Sequence, residues 1–182
     1  VEYVVSGGNG VYLFTIDNDT VATDVGSYTF NVYADPGDTR YQSASISGIP
    51  FTIRPLRTRL TYTPVPNIPW GNNVTINFKY NVSDAASLWY NNKAIDGASI
   101  TITRPGTWNF WTDYVSTGGN GVYTLNIANT TVNIVQSYSI DVQASVGNPR
   151  YENASILGLP FTIRELATVL IYEAVTPVPY GN

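Results

Sequence analysis

Apolar and polar residues alternate along most of this chain. Between Asn73 and Val82 the alternation is regular: Val74, Ile76, Phe78, Tyr80 and Val82 fall on one side, and Thr75, Asn77, Lys79 and Asn81 on the other. A period of two puts successive side chains on opposite faces of an extended backbone, so the stretch reads as a strand with one buried and one wet face. Strands are also predicted over residues 10–16, 27–34, 44–54, 60–64, 108–115, 122–128, 136–144 and 155–165. No segment has a convincing helical period. DNDT (17–20), DPGDTR (35–40), NNK (91–93) and Asp96–Gly97 supply the residues that tight turns accept. Gly48 and Pro50, inside an otherwise alternating run, mark a bulge or an edge position. PVPNIPWGN (64–72) holds three prolines, each lacking a ladder donor, and reads as an edge strand or a crossover between sheets.

The strand pattern occurs twice. Residues 7–54 run from GGNGVY through SYTFNVYA to YQSASISGIPFTIR, and residues 118–164 from GGNGVY through SYSIDVQA to YENASILGLPFTIR. LTYTPVPNIPWGN (60–72) likewise returns as LIYEAVTPVPYGN (170–182). A repeat of about 110 residues is large enough to bury a core of its own. Residues 1–57 are therefore expected to be the C-terminal half of a repeat, with three strands. Residues 58–166 are a complete repeat of about eight strands, and 167–182 the first strand of a following one. Eight short strands at this spacing point to an all-β fold, a tandem antiparallel two-sheet sandwich. PLRTR (55–59) has neither a Gly/Ser tract nor a charged spacer, so the repeats are expected to be held end to end with little hinge motion.

Composition narrows the function. Charged residues make up 12% of the chain, the formal net charge is −4, and Lys and Arg do not cluster. Nucleic-acid binding, which depends on neutralising phosphates, is disfavoured, as is attraction to anionic lipid. No apolar run reaches the length of a membrane span. The chain has no Cys, Met or His, which removes the commonest general base, the usual nucleophile pairs and nearly all transition-metal ligands. No cofactor is expected.

The order G-x-G-x-Y-x-x-x-I, then S-Y-x-x-x-V-x-A, then a Tyr-bearing turn and a strand ending T-I-R, resembles a known family. It is similar to the immunoglobulin-like tandem repeats of prokaryotic cell-surface proteins, above all those of archaeal surface or S-layer-type proteins. Gly8, Gly10, Tyr12, Ile16, Ser27, Tyr28, Val32 and Ala34 carry the resemblance in the first copy, and Gly119, Gly121, Tyr123, Ile127, Ser137, Tyr138, Val142 and Ala144 in the second. The Cys–Trp–Cys signature of antibody domains is missing. The resemblance implies an extracellular spacer, stalk, filament or lattice element rather than an enzyme. Its partners would be copies of itself or adjacent repeats, head to tail.

Candidate chemistry is sparse. Asp84, Asp96 and Asp113 are the carboxylates that could serve a paired-carboxylate hydrolase, each beside a turn where capping is the ordinary role. Asp17, Asp19, Asp24, Asp35 and Asp38 suggest calcium in the first copy. The second copy has Ala128, Thr130, Ser145 and Asn148 at matching places, so a retained metal site is not expected. Trp89, Tyr90, Trp108, Phe110 and Trp111 crowd one region, as core, as a contact with a neighbouring subunit or as a stacking platform for sugars. The last of these makes an adhesin or carbohydrate-binding module the alternative reading. Five N-x-S/T sequons stand at Asn18, Asn73, Asn81, Asn129 and Asn153, with Asn81 and Asn129 expected to be the most accessible.

Overall fold

A computed structural model describes residues 3–8, 10–15, 24–87, 90–103 and 115–174. Among these residues every regular element is a strand, and no helix is long and apolar enough to cross a membrane. Strands β5 (Thr58–Tyr62), β7 (Val74–Val82), β10 (Val122–Ile127) and β9 (Val115–Gly119) form one sheet in that order. Strands β6 (Ile68–Pro69), β12 (Ala154–Arg164), β11 (Gln136–Ser145) and β8 (Ser99–Thr103) form a second. The strand expected over residues 108–115 lies, apart from Val115, outside the described residues.

The two sheets close on one core, as in a β-sandwich. Val74, Ile76, Phe78 and Tyr80 of β7 are buried while Thr75, Asn77 and Lys79 face solvent, as the alternation requires. Leu125 and Ile127 join them from β10, and Ile140, Val142, Leu159 and Phe161 from the second sheet. Each large apolar side chain taken fully out of water contributes about 1.5–3 kcal/mol, so this cluster is the main source of stability. Buried tyrosines need a partner for the phenol. Tyr80 donates to the carbonyl of Glu152 at 2.9 Å, and Tyr123 donates to that of Ile95 at 2.8 Å while accepting from Ala98 N–H at 2.9 Å. Burial pushes the Tyr123 phenol above its ordinary pKa.

The chain changes sheet through the proline-rich stretch, which is the expected crossover: β5 lies in the first sheet and β6 at the edge of the second. The pairing of β6 with β12 is parallel and short (Ile163↔Ile68, Arg164↔Pro69), with Trp70 N–H on the Arg164 carbonyl at 2.8 Å, and Pro69 stands at a sheet edge where a missing donor is tolerated.

Ahead of the sandwich lie β1 (Tyr3–Gly8), β2 (Val11–Thr15), β3 (Gly26–Ala34) and β4 (Ala44–Ile53), paired as two hairpins. Phe14 of β2 meets Phe30 of β3 at 5.0 Å between ring centroids and so joins the hairpins, while Tyr28 meets Phe51 at 5.4 Å within the second. The reading of residues 1–56 as three strands missed β1. YVVSGG lacks a clean alternation, and it is its pairing with β2 that makes it a strand.

The hairpin β3–β4 matches β11–β12 pair for pair in register. Tyr28↔Phe51 corresponds to Tyr138↔Phe161 and Val32↔Ile46 to Val142↔Ile156, with the same bulge after Phe30 and after Ile140. Gly48 and Gly158 sit at these bulges with φ of 73° and 67°. Each donates its N–H to a side-chain oxygen on the facing strand, Asn31 at 2.8 Å and Asp141 at 2.7 Å. A positive φ is open to Gly at little cost, so the bulge expected at Gly48 has a definite cause.

One expectation is corrected. Asn81 is buried, at 5% exposure, not accessible. The alternation of β7 ends at residue 80, where the β7–β8 connection folds back along the strand. Ile95 N–H bonds the Tyr80 carbonyl and Val82 N–H the Lys93 carbonyl, and both faces are covered over Tyr80–Val82. Of residues 167–182, expected to be the first strand of a following repeat, 167–174 run exposed and outside any strand, and 175–182 lie outside the described residues. Their counterpart β5 is a strand paired with β7.

Candidate functional site

The densest polar cluster lies where the first four strands meet the sandwich. Arg54, at the end of β4, reaches across 30 residues to Asp84, with Nη1 on Oδ2 and Nη2 on Oδ1 at 2.9 Å. Two parallel bonds from a planar guanidinium fix both distance and orientation. Asp84 also accepts the N–H of Ala86 at 3.2 Å and of Arg57 at 3.3 Å, and the Arg57 carbonyl takes the N–H of Ser83 at 2.9 Å. The Asp84 side chain is almost wholly buried and that of Arg54 half-exposed. The guanidinium, with the backbone donors behind it, holds the Asp84 carboxyl far below the usual carboxylate range against the opposing effect of burial. The carboxylate in turn raises the pKa of Arg54.

The opposite side of the same segment is tied to the turn after β11. Leu56 makes a parallel bridge with Tyr151, donating to the Arg150 carbonyl at 2.8 Å and accepting from Glu152 N–H at 3.0 Å. Thr58 Oγ1 then donates to the Glu152 carbonyl at 2.8 Å. Residues 54–58 are thus fastened on two sides, to the loop after β7 and to the turn before β12. A segment with this many anchored backbone groups has little torsional freedom left.

Asp84, raised as a catalytic carboxylate, is therefore a structural anion with its lone pairs occupied. Asp96 accepts the N–H of Gly121 at 2.7 Å and braces the β9–β10 turn. Asp113 lies outside the described residues. Of the calcium candidates, Asp17 and Asp19 also lie outside them. Asp35 caps the turn at Gly37, and Asp38 is paired with Arg40, which lowers its pKa. Among the described residues no group of three acidic side chains converges.

Trp89, Trp108, Phe110 and Trp111 lie outside the described residues. Tyr90 is half-buried against the core, with Lys93 Nζ 5.0 Å from its ring centroid, a cation–π contact at the surface. Of the sequons, Asn18 lies outside the described residues. Asn73 and Asn129 are bound together: Asn129 N–H donates to Asn73 Oδ1 at 2.9 Å, and Asn129 Nδ2, the atom a glycan would occupy, donates to the Gly71 carbonyl at 2.6 Å. Asn153 is exposed, on an open cleft of about 350 Å³ with Ser145, Asn148 and Tyr151. The sequence pointed to Asn81 and Asn129, and the structure to Asn153. The Arg54–Asp84 pair has no signature in one sequence beyond the recurrence of T-I-R.

Comparison with protein-family models and with curated proteins returns no match.

Proposed function

We propose that this chain is a structural, extracellular protein of tandem immunoglobulin-like repeats, set end to end as a stalk, filament or surface-layer element and N-glycosylated on its exposed face. One observation carries the reading: two sets of hairpins about 110 residues apart share register, bulges and bonds, and a clamped segment of five residues joins them. A catalyst or a ligand-binding module has no need of a fixed angle between successive repeats, whereas a stalk does. Low charge, the absence of thiols open to oxidation and the exposed sequon at Asn153 fit a surface location.

Rigidity is the testable part. The native chain has no Cys, so introduced cysteines label uniquely. Spin labels at Ser45→Cys in β4 and Thr101→Cys in β8, both exposed, report the angle across the joint through their distance distribution. The reading expects a single narrow distribution that broadens in Asp84→Ala. A broad distribution in the parent protein would show freely hinged repeats and remove the basis for a stalk.

A further inference from the structure

The turn that fastens residues 54–58 also carries an exposed sequon. Between β11 and β12 the chain closes twice on Asn148: its Oδ1 accepts Arg150 N–H at 2.9 Å, and its carbonyl accepts Tyr151 N–H at 3.0 Å. One side of this turn is bound to the joint, through the Arg150 carbonyl and the Glu152 N–H on Leu56. The Glu152 carbonyl accepts from Thr58 Oγ1 at 2.8 Å and from the Tyr80 phenol at 2.9 Å, so linker, turn and core meet at one residue. Asn153 follows directly and is exposed, and among the described residues no hydrogen bond engages its side-chain amide.

The other side of the turn faces the open cleft of about 350 Å³, at the lower end of small-molecule sites and on the scale of one sugar. Asn153 stands there with Tyr151, two residues earlier, and with Asn148, Pro149 and Ser145. Tyr151 is half-buried: it packs against the core and also lines the cleft, so the ring is held in place while part of it stays open. The face of an aromatic ring is electron-rich and attracts the polarised C–H groups of a pyranose. Asn148 Oδ1 is occupied by Arg150 N–H, which fixes the amide and leaves Nδ2 to donate to a sugar hydroxyl. The first copy has Tyr41 and Asp38 at matching places but Ser43 in place of Asn153, so it offers the ring without the sequon.

We propose that the sugar linked to Asn153 lies in this cleft against Tyr151 and stiffens the joint from outside. The occupant is the first pyranose of the chain's own asparagine-linked glycan. The proposal rests on the reading of the chain as a glycosylated surface element, and gives the glycan a place and a task. Its attachment forms a bond from Asn153 Nδ2 to the anomeric carbon of an activated sugar diphosphate. That carbon's bond to the leaving phosphate breaks, and one Nδ2 proton is given up. The tether makes the stacking contact intramolecular, so an interaction too weak to hold a free sugar suffices. The pyranose then spans Tyr151 and Asn153 across the turn from which the bonds to Leu56 and Thr58 leave. A turn braced on both sides opens less often, and the linker bonds open only with it.

The test uses the whole chain, made in a host that links N-acetylglucosamine to asparagine and trimmed enzymatically to that single sugar. NMR should show cross-peaks between the sugar at Asn153 and the Tyr151 ring, with the sugar protons shifted upfield by it. Hydrogen exchange at the Leu56 N–H should be about three- to tenfold slower than in Asn153→Ser from the same host. Tyr151→Leu keeps apolar bulk and the backbone bonds of the turn, and in that background Asn153→Ser should change nothing. A bare Asn153, an occupied Asn153 without cross-peaks to Tyr151, or slowing that persists in Tyr151→Leu would overturn the proposal. So would saturable shifts when free N-acetylglucosamine is added to the Asn153→Ser chain, since the cleft would then serve sugars from outside. An occupied Asn153 without the ring contact, together with a narrow spin-label distribution, would reject this seat alone and leave the stalk reading standing.

Discussion

Replacing Gly121 with Ala separates backbone strain from steric conflict, because Gly10 provides a matched control. Both residues have φ in the left-handed region, at 71° and 76°, so both substitutions carry a strain of about 1–2 kcal/mol for placing a Cβ there. At Gly10 that is the whole cost, since the new methyl meets nothing. At Gly121 the methyl would lie 2.4 Å from the Tyr80 carbonyl, well inside the 3.0 Å that Cβ contacts respect, with Ala94 Cβ and Ile95 N at 3.2 Å. The carbonyl cannot retreat freely, because it accepts Ile95 N–H at 3.0 Å while Tyr80 N–H is held by the Gly121 carbonyl at 2.8 Å. Opening this crossing loosens two backbone bonds at about 1 kcal/mol each. Repacking around the extra methyl adds about 1–3 kcal/mol. Gly121→Ala should therefore cost roughly 3–5 kcal/mol more than Gly10→Ala, a further fall in Tm of at least about 12 °C for a domain of this size. Urea and thermal unfolding followed by far-UV circular dichroism read the difference. Equal losses for the two variants would refute the steric argument.

Four further outcomes follow. Leu125→Ala removes a fully buried side chain and should destabilise by about 2–5 kcal/mol, whereas Leu13→Ala, at an exposed position of β2, should stay within about 0.5 kcal/mol; chemical denaturation separates them. Because the folded-state pKa of Asp84 is depressed, its pairing with Arg54 stabilises the joint above the ordinary carboxylate pKa of about 4 and is lost as pH falls below that value. The spin-label distribution across the joint should thus stay narrow from pH 7 to about 5 and widen only in stronger acid; broadening near pH 6 would contradict the assignment. Asp84→Asn keeps the size but loses the charge, and should widen the distribution at neutral pH without unfolding the sandwich. In a glycosylating host, peptide mapping should find Asn153 occupied and Asn81 bare; a modified Asn81 would mean that the end of β7 opens before the sandwich closes.

What could be read from the sequence was whatever a single strand decides for itself. The faces of β7, the crossover at the prolines and the bulge at Gly48 follow from period, missing donors and backbone freedom. What could not be read came from a second segment arriving. Asn81 sits on the nominally wet side of β7, and the returning β7–β8 connection covers it. β1 has no pattern of its own and is made by β2. The joint was legible as short but not as clamped, since the Arg54–Asp84 pair spans 30 residues and joins two elements whose docking no local rule specifies.

The parallel contacts of this fold have a mechanical meaning. Leu56 pairs with Tyr151, and Ile68 with Ile163, in the parallel sense, each tying an early segment of the sandwich to a late one. Tension applied between the two ends of the sandwich pulls an early segment backward and a late one forward. Parallel neighbours loaded in this way slide past each other, so the bonds at Arg150, Glu152 and Arg164 share the load and break together, not one at a time as in a hairpin peeled from its open end. A chain tied like this yields abruptly at high force. Single-molecule stretching should record that event once for the sandwich, and at much lower force when proline replaces Leu56 and removes its N–H from the tie.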